Sequence, residues 1–132
     1  MTDVGRVHGS PREWLARAQG DLALAKVPLP TGGFYEDLCF HTQQAAEKAL
    51  KAVYLFHGLT FRYIHDLNVL INGLLRQGVV VPGEVQDCIF LSSYAWGGRY
   101  PGLDEPITEE EHAVAIRKAE VVVTWAEREL LN

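Results

Sequence analysis

The chain has 132 residues, 17 acidic and 12 basic, and a net charge of −5 with its histidines neutral. That length suits one domain, which buries about two-thirds of its unfolded surface and is stable without staples. The acidic balance excludes a general polyanion binder, so nucleic-acid contact needs a local basic patch; no apolar run reaches the ~18 residues of a membrane span, and MTDVGRVHGSP at the N-terminus lacks the apolar core of a secretory signal.

All the expected elements are helices. Ser10 is the N-cap of the first, with Pro11 at its first position and Glu13 completing a capping box. Trp14, Leu15, Ala18, Leu22 and Ala25 follow at helical spacing, until Pro28, Pro30, Gly32 and Gly33 impose a loop. A second helix runs from about Phe34 to His57 and stops at Gly58. After the connector GLTFRYI, HDLNVLINGLLRQG reads as a third helix, with Leu67, Leu70, Ile71 and Leu74 on one face and Gly78 closing it. PGEVQDCIFLSSYAW, from near Pro82, reads as a fourth, and the glycines and prolines of GGRYPGLDEPI break it. Thr108 and Glu111 form a second capping box. The last helix reaches about Leu131, with Ala115, Ile116, Ala119, Val122, Val123, Ala126 and Leu130 inward.

VVVP at 79–82 is too short and isolated to be a convincing strand. The expectation is an all-α protein with four helices packed around one core and a short additional helix capping or flanking them, one domain over residues 1–132 with its core at about 10–131. Cys39 and Cys88 fall in apolar helical patterns and read as small buried hydrophobes in a reducing, cytoplasmic setting, not as a zinc site. The acidic run DEPITEEE puts carboxylates at a helix N-terminus, where the macrodipole favours them.

The second helix carries the most suggestive chemistry. At 100° per residue, Leu38, Thr42, Ala45, Ala46, Ala49, Ala52, Val53 and Phe56 share a core face. Gln43, Gln44, Glu47, Lys48 and Lys51 lie opposite, with His41 at the edge, and His41, Gln44, Lys48 and Lys51 line up as a narrow stripe. A solvated face explains the charges. Phe40, Tyr54 and Leu55 beside them point instead to an interface with a ligand or partner. His41, His57 and His65 match no common metal-ligand spacing, and no metal or cofactor is assigned. Asp66 reads as the cap of the third helix, with His65 bonded nearby. Arg99, flanked by Tyr94, Trp96 and Tyr100, offers a planar fork for a phosphate or carboxylate; an ion pair within a structural loop accounts for it equally well.

Walker A, GxGxxG and nucleophile-elbow motifs are all missing. Gly9-Ser10 followed after ten residues by Asp21 mimics a nucleotidyltransferase signature, but Ala23 holds the second carboxylate position and the segment reads as helix.

Taken together, DLALA, YEDLCFHTQQAAEKALKAVYLFHG, HDLNVL, YAWGGRYPG and the closing VVVTWAERELL resemble HEPN domains (higher eukaryotes and prokaryotes nucleotide-binding), over residues 12–131. FHTQQAAEKALKA is the most specific segment. The resemblance implies an all-α, up-and-down four-helix bundle with a short additional helix that is commonly a homodimer, often encoded beside a minimal nucleotidyltransferase and paired with it, in some cases as a toxin–antitoxin module. Many members are RNases that carry Arg, four to six residues, then His. Here Arg99 is followed at that distance by Asp104, Glu105 and Pro106, so the motif is absent and no catalytic residue is assigned.

The resulting expectation is a nucleotide-binding HEPN module that partners such an enzyme, with His41, Gln44, Lys48, Lys51, His65, Tyr94, Arg99 and Tyr100 lining its ligand or partner surface. The ligand would be a nucleotide or an RNA end. The alternatives are a divergent metal-independent RNase acting as a dimer and a structural dimer without ligand.

Overall fold

The computed structural model describes residues 9–61, 64–96 and 105–131. Their regular structure is entirely helical: α1 (Pro11–Ala25), α2 (Tyr35–Phe56), α3 (Leu67–Arg76), α4 (Gly83–Gln86), a 3-10 helix (Asp87–Trp96) and α5 (Glu109–Leu131). The all-α class and the bundle are as the sequence implies.

Local chemistry sets the helix ends. Ser10 Oγ accepts from the Glu13 amide and Glu13 Oε1 accepts from the Ser10 amide, the reciprocal capping box. Asp66 caps α3 by accepting from the Asn68 amide at 2.9 Å. Thr108 Oγ1 accepts from Glu111 at the start of α5. α2 and α3 close with the same device. Gly58 and Gly78 adopt φ of +71° and +90°, and the paired bonds Leu59 to Tyr54 with Gly58 to Leu55, and Val79 to Leu74 with Gly78 to Leu75, are Schellman motifs.

The expected fourth helix differs. It makes one α turn and continues as 3-10 helix. Buried Val85, Cys88 and Leu91, followed by half-buried Tyr94, recur every three residues, while Ile89 and Phe90 between them are exposed. An α-helix would swing that row about 60° around the axis at each step; at three residues per turn the row stays on one face. Burial pushes the Cys88 thiol up to about 12, with Asp87 adding to the shift, so this cysteine is an inert core residue.

α2 sits at the centre, packed on α1, α3, α5 and the 3-10 helix. Ala45, Ala46, Ala49 and Ala52 are fully buried and let these neighbours come close. Leu50, Leu67, Leu70, Leu74 and Leu91 fill the spaces between the elements. Phe56, expected in the core, is exposed, because it lies in the last turn of α2 where the chain leaves the bundle.

Candidate functional site

A helix with neighbours on most sides has little solvated face to offer. The polar side expected on α2 is accordingly inside the protein: Gln43 is 0%, Glu47 3% and Lys51 3% exposed. The cover comes from two elements that a single-helix projection omits. Trp14 of α1 and Phe61 of the α2–α3 connector meet edge to face over this side. The Lys51 ammonium lies 5.7 Å from the Trp14 ring centre and 5.2 Å from that of Phe61. Tyr54, expected on the polar side, is also buried, and its hydroxyl donates to the Leu70 carbonyl of α3. Phe40 and Leu55 are half-buried.

Two carboxylates organise the polar groups. Glu47 Oε2 accepts from Lys51 Nζ at 2.8 Å. Glu47 Oε1 takes the Gln43 amide at 3.0 Å and His65 Nδ1 at 2.9 Å. Gln43 Nε2 also donates to the His65 carbonyl, and Gln44 Nε2 donates to Gln43 Oε1. Burial pushes the Glu47 carboxyl up, but the hydrogen bonds from Lys51, Gln43 and His65, with the Lys51 charge, outweigh it and hold the group below its ordinary value.

Asp21 of α1 is the second centre. Its Oδ1 meets His41 Nδ1 at 2.9 Å and its Oδ2 accepts from Lys48 Nζ at 2.6 Å. The two acids differ in access. His41 and Lys48 keep 31% and 26% of their side-chain surface exposed, whereas the Glu47–Lys51 pair is enclosed. Among the described residues, every buried side-chain nitrogen and oxygen has a hydrogen-bond partner.

The stripe expected from the sequence is thus divided. His41, Gln44 and Lys48 reach the surface, and Lys51 does not. His65 joins the network through Glu47. Tyr94 is elsewhere, lining a groove against α5. Arg99 and Tyr100 lie outside the described residues.

Beside Lys48 is a cleft of about 310 Å³ lined by Gly9, Glu13, Trp14, Arg17 and Lys48. Arg17 is exposed and stands one turn before Asp21 on α1. Reading α2 by itself misses Trp14, Arg17 and Asp21. One signal for Asp21 was present: Ala18, Asp21 and Ala25 are the buried stripe of α1, and a carboxylate at such spacing requires a cationic or donor partner from the facing helix. Asp21 lies in a helix, consistent with setting aside the nucleotidyltransferase-like spacing. The described residues contain no group of three or more His, Cys, Asp or Glu placed to hold a metal, and no helix long and apolar enough to cross a membrane.

The profile of the HEPN domain family matches residues 11–130. A curated protein of Methanocaldococcus jannaschii named "Putative toxin MJ1304" is 47% identical over 87 residues, which cover 66% of this chain and 53% of that protein. The matched stretch thus spans about half the length of this relative. Among solved structures, TT1696 from Thermus thermophilus matches with a TM-score of 0.78 and 31% identity, over 91% of this chain and 98% of that one. ST0689, described as an archaeal HEPN homologue, matches with a TM-score of 0.73 and 26% identity, over 93% of this chain and 99% of that one.

Proposed function

This chain belongs to the HEPN family, and from that premise we propose that it is a binding and assembly module of the cytoplasm. In this reading it is a homodimer that holds a nucleotide or an RNA end and partners a separately encoded minimal nucleotidyltransferase, in a pair of toxin–antitoxin type. The relative named as a toxin supports the last element.

The observation that carries the reading is the cleft between α1 and α2, where Arg17 and Lys48 line one depression with the Trp14 ring. Two cations suit phosphate oxygens, and the guanidinium of Arg17 offers a bidentate fork. Asp21 holds Lys48 and His41 in place, so their order is established before a ligand arrives. Gln44, half-buried at the edge of the network, adds an amide for a base or a backbone. Lys51 and His65 act from behind, by fixing Glu47 and the connector rather than by touching the ligand.

Calorimetric titration with nucleoside triphosphates and a short RNA is the test. Arg17→Ala and Lys48→Ala are each expected to weaken binding by about tenfold, the worth of one charge-assisted hydrogen bond. Wild-type affinity in both variants, or no binding by the native protein, would remove the cleft from the function.

A second reading, a divergent metal-independent RNase, is favoured by one contact. Asp21 engages His41 Nδ1, leaving Nε2 as the proton-transfer atom of a carboxylate-oriented imidazole beside a lysine. It predicts RNA cleavage in the presence of chelator that is lost in His41→Ala. Intact RNA at high protein concentration would end that reading.

A further inference from the structure

Lys48 belongs to two places at once. It lines the cleft with Arg17, and its ammonium donates to Asp21 Oδ2 at 2.6 Å. The other oxygen of this buried carboxylate meets His41 Nδ1 at 2.9 Å. His41 does not line the cleft. It stands seven residues before Lys48 on α2, about 10 Å away along the axis. The two side chains converge on one acid of α1.

An ionised carboxylate only accepts, so the hydrogen of a neutral His41 ring is on Nδ1 and the lone pair is on Nε2. The ring is partly open to water. In this state Asp21 and Lys48 balance each other. A proton on Nε2 adds a second cation and no second anion. His41 and Lys48 then share one negative charge and repel each other, so the claim of Asp21 on the Lys48 ammonium weakens. The same proton offsets the repulsion that Asp21 exerts on an anion in the cleft. Both effects favour an anionic ligand.

Histidine is the side chain whose charge ordinarily changes between about pH 5 and 8. The other charged groups on these two helices near the trio are Asp37, one turn before His41 on α2, and Arg17 and Glu13, one and two turns before Asp21 on α1. Carboxylate and guanidinium groups ordinarily keep their charge across that range. Three further histidines have other partners: His65 meets Glu47, His57 meets Glu129, and His112 bonds to the Ala25 carbonyl. Among the described residues, no side chain of α3, the 3-10 helix or α5 bonds to His41, Asp21 or Lys48.

We propose that His41 is a proton switch for the cleft: its protonation makes the charge of Lys48 available to an anionic ligand, and affinity rises in mild acid. Linkage is reciprocal, so binding the anion draws a proton onto the protein. The proposal rests on the first functional reading above and states how its site is regulated. His41 acts through Asp21 and Lys48, as a positioning residue.

Calorimetric titration at about pH 8 and about pH 6, either side of the ordinary histidine value, is the test. The probe is a short RNA with hydroxyl ends and 2′-O-methyl sugars. Its phosphodiesters hold a constant charge over that interval, and its sugars cannot support cleavage. The native protein is expected to bind at least about fivefold more tightly in the acid buffer. Repeating the acid titration in two buffers of different ionisation enthalpy is expected to show proton uptake on binding. His41→Asn keeps a donor at the place of Nδ1 and cannot take a charge, so both the pH dependence and the proton uptake are expected to disappear. Equal native affinity at the two pH values, without proton uptake, would overturn the switch and spare the cleft. No native binding at either pH would overturn both. A pH dependence that survives in His41→Asn would place the proton on another group and overturn the assignment. If His41→Asn does not fold, the proton uptake of the native protein still decides, because its absence ends the proposal.

Discussion

Replacing Glu47 with alanine is expected to destabilise the domain by about 3–5 kcal/mol, the cost of stranding the partner of a buried ion pair. Lys51 is enclosed by Trp14 and Phe61, and Glu47 supplies the carboxylate of its ion pair. The same change removes the acceptor for Gln43 Nε2 and His65 Nδ1. For a domain stable by about 5–15 kcal/mol this is a large fraction of the total. The double variant Glu47→Leu/Lys51→Met is expected to cost much less than the two single changes added together, because it removes both charges at once. Urea unfolding of the four proteins closes the cycle, and additive losses would show that the pair is not coupled.

Acid provides an independent check on the same group. The folded protein holds the Glu47 carboxyl below its ordinary value of 4.5, so as pH falls the unfolded chain takes up the proton first. The stability gained from ionised Glu47 is complete above that ordinary value and is lost as pH falls through the folded one. The stability gap between the native protein and Glu47→Gln is therefore expected to be constant near neutrality and to shrink in acid. A gap that widens in acid would mean that burial dominates the site and the carboxyl is held neutral.

Gly73→Ala is expected to reverse the usual sign of its substitution. In an exposed helix, exchanging glycine for alanine gains about 1 kcal/mol. Gly73 is buried where α3 meets α2, and a Cβ added there falls on the Tyr54 hydroxyl. Tyr54 must then move and give up its hydrogen bond to the Leu70 carbonyl. Overpacking of this kind costs about 1–3 kcal/mol. Tyr54→Phe clears the obstructing oxygen, so Gly73→Ala/Tyr54→Phe should be more stable than Gly73→Ala alone. A single variant that melts at or above the native temperature would show that α3 shifts at no cost.

The chain ends of the helices were legible because their signals are local. Ser10 with Glu13, Thr108 with Glu111, Asp66, Gly58 and Gly78 each act within a few residues. The period-three row of Val85, Cys88 and Leu91 was equally visible, but an apolar stretch of that length reads first as α-helix. The burial of the polar side of α2 is hidden from the sequence for a different reason. A helical projection shows which residues share a face but not what lies over it, and the cover here comes from Trp14, about thirty residues before that face, and from Phe61 beyond the end of α2. His41, Gln44 and Lys48 were recognisable on α2 as a group. Their partner Asp21 belongs to another helix, and no spacing rule within α2 points to it.

Gln43 and Glu47 also bear on how the molecule opens. Through them the connector is fastened to α2 by the side chain and the carbonyl of His65, and through Lys51 the same cluster reaches Trp14 of α1. Peeling the connector away would strip two hydrogen bonds from α2, and lifting the start of α1 would uncover the Lys51 charge. Neither segment can fray alone at low cost. The first turn of α1, the middle of α2 and the entry to α3 should therefore exchange their amide hydrogens as one cooperative unit, slower than their nearness to loops would suggest.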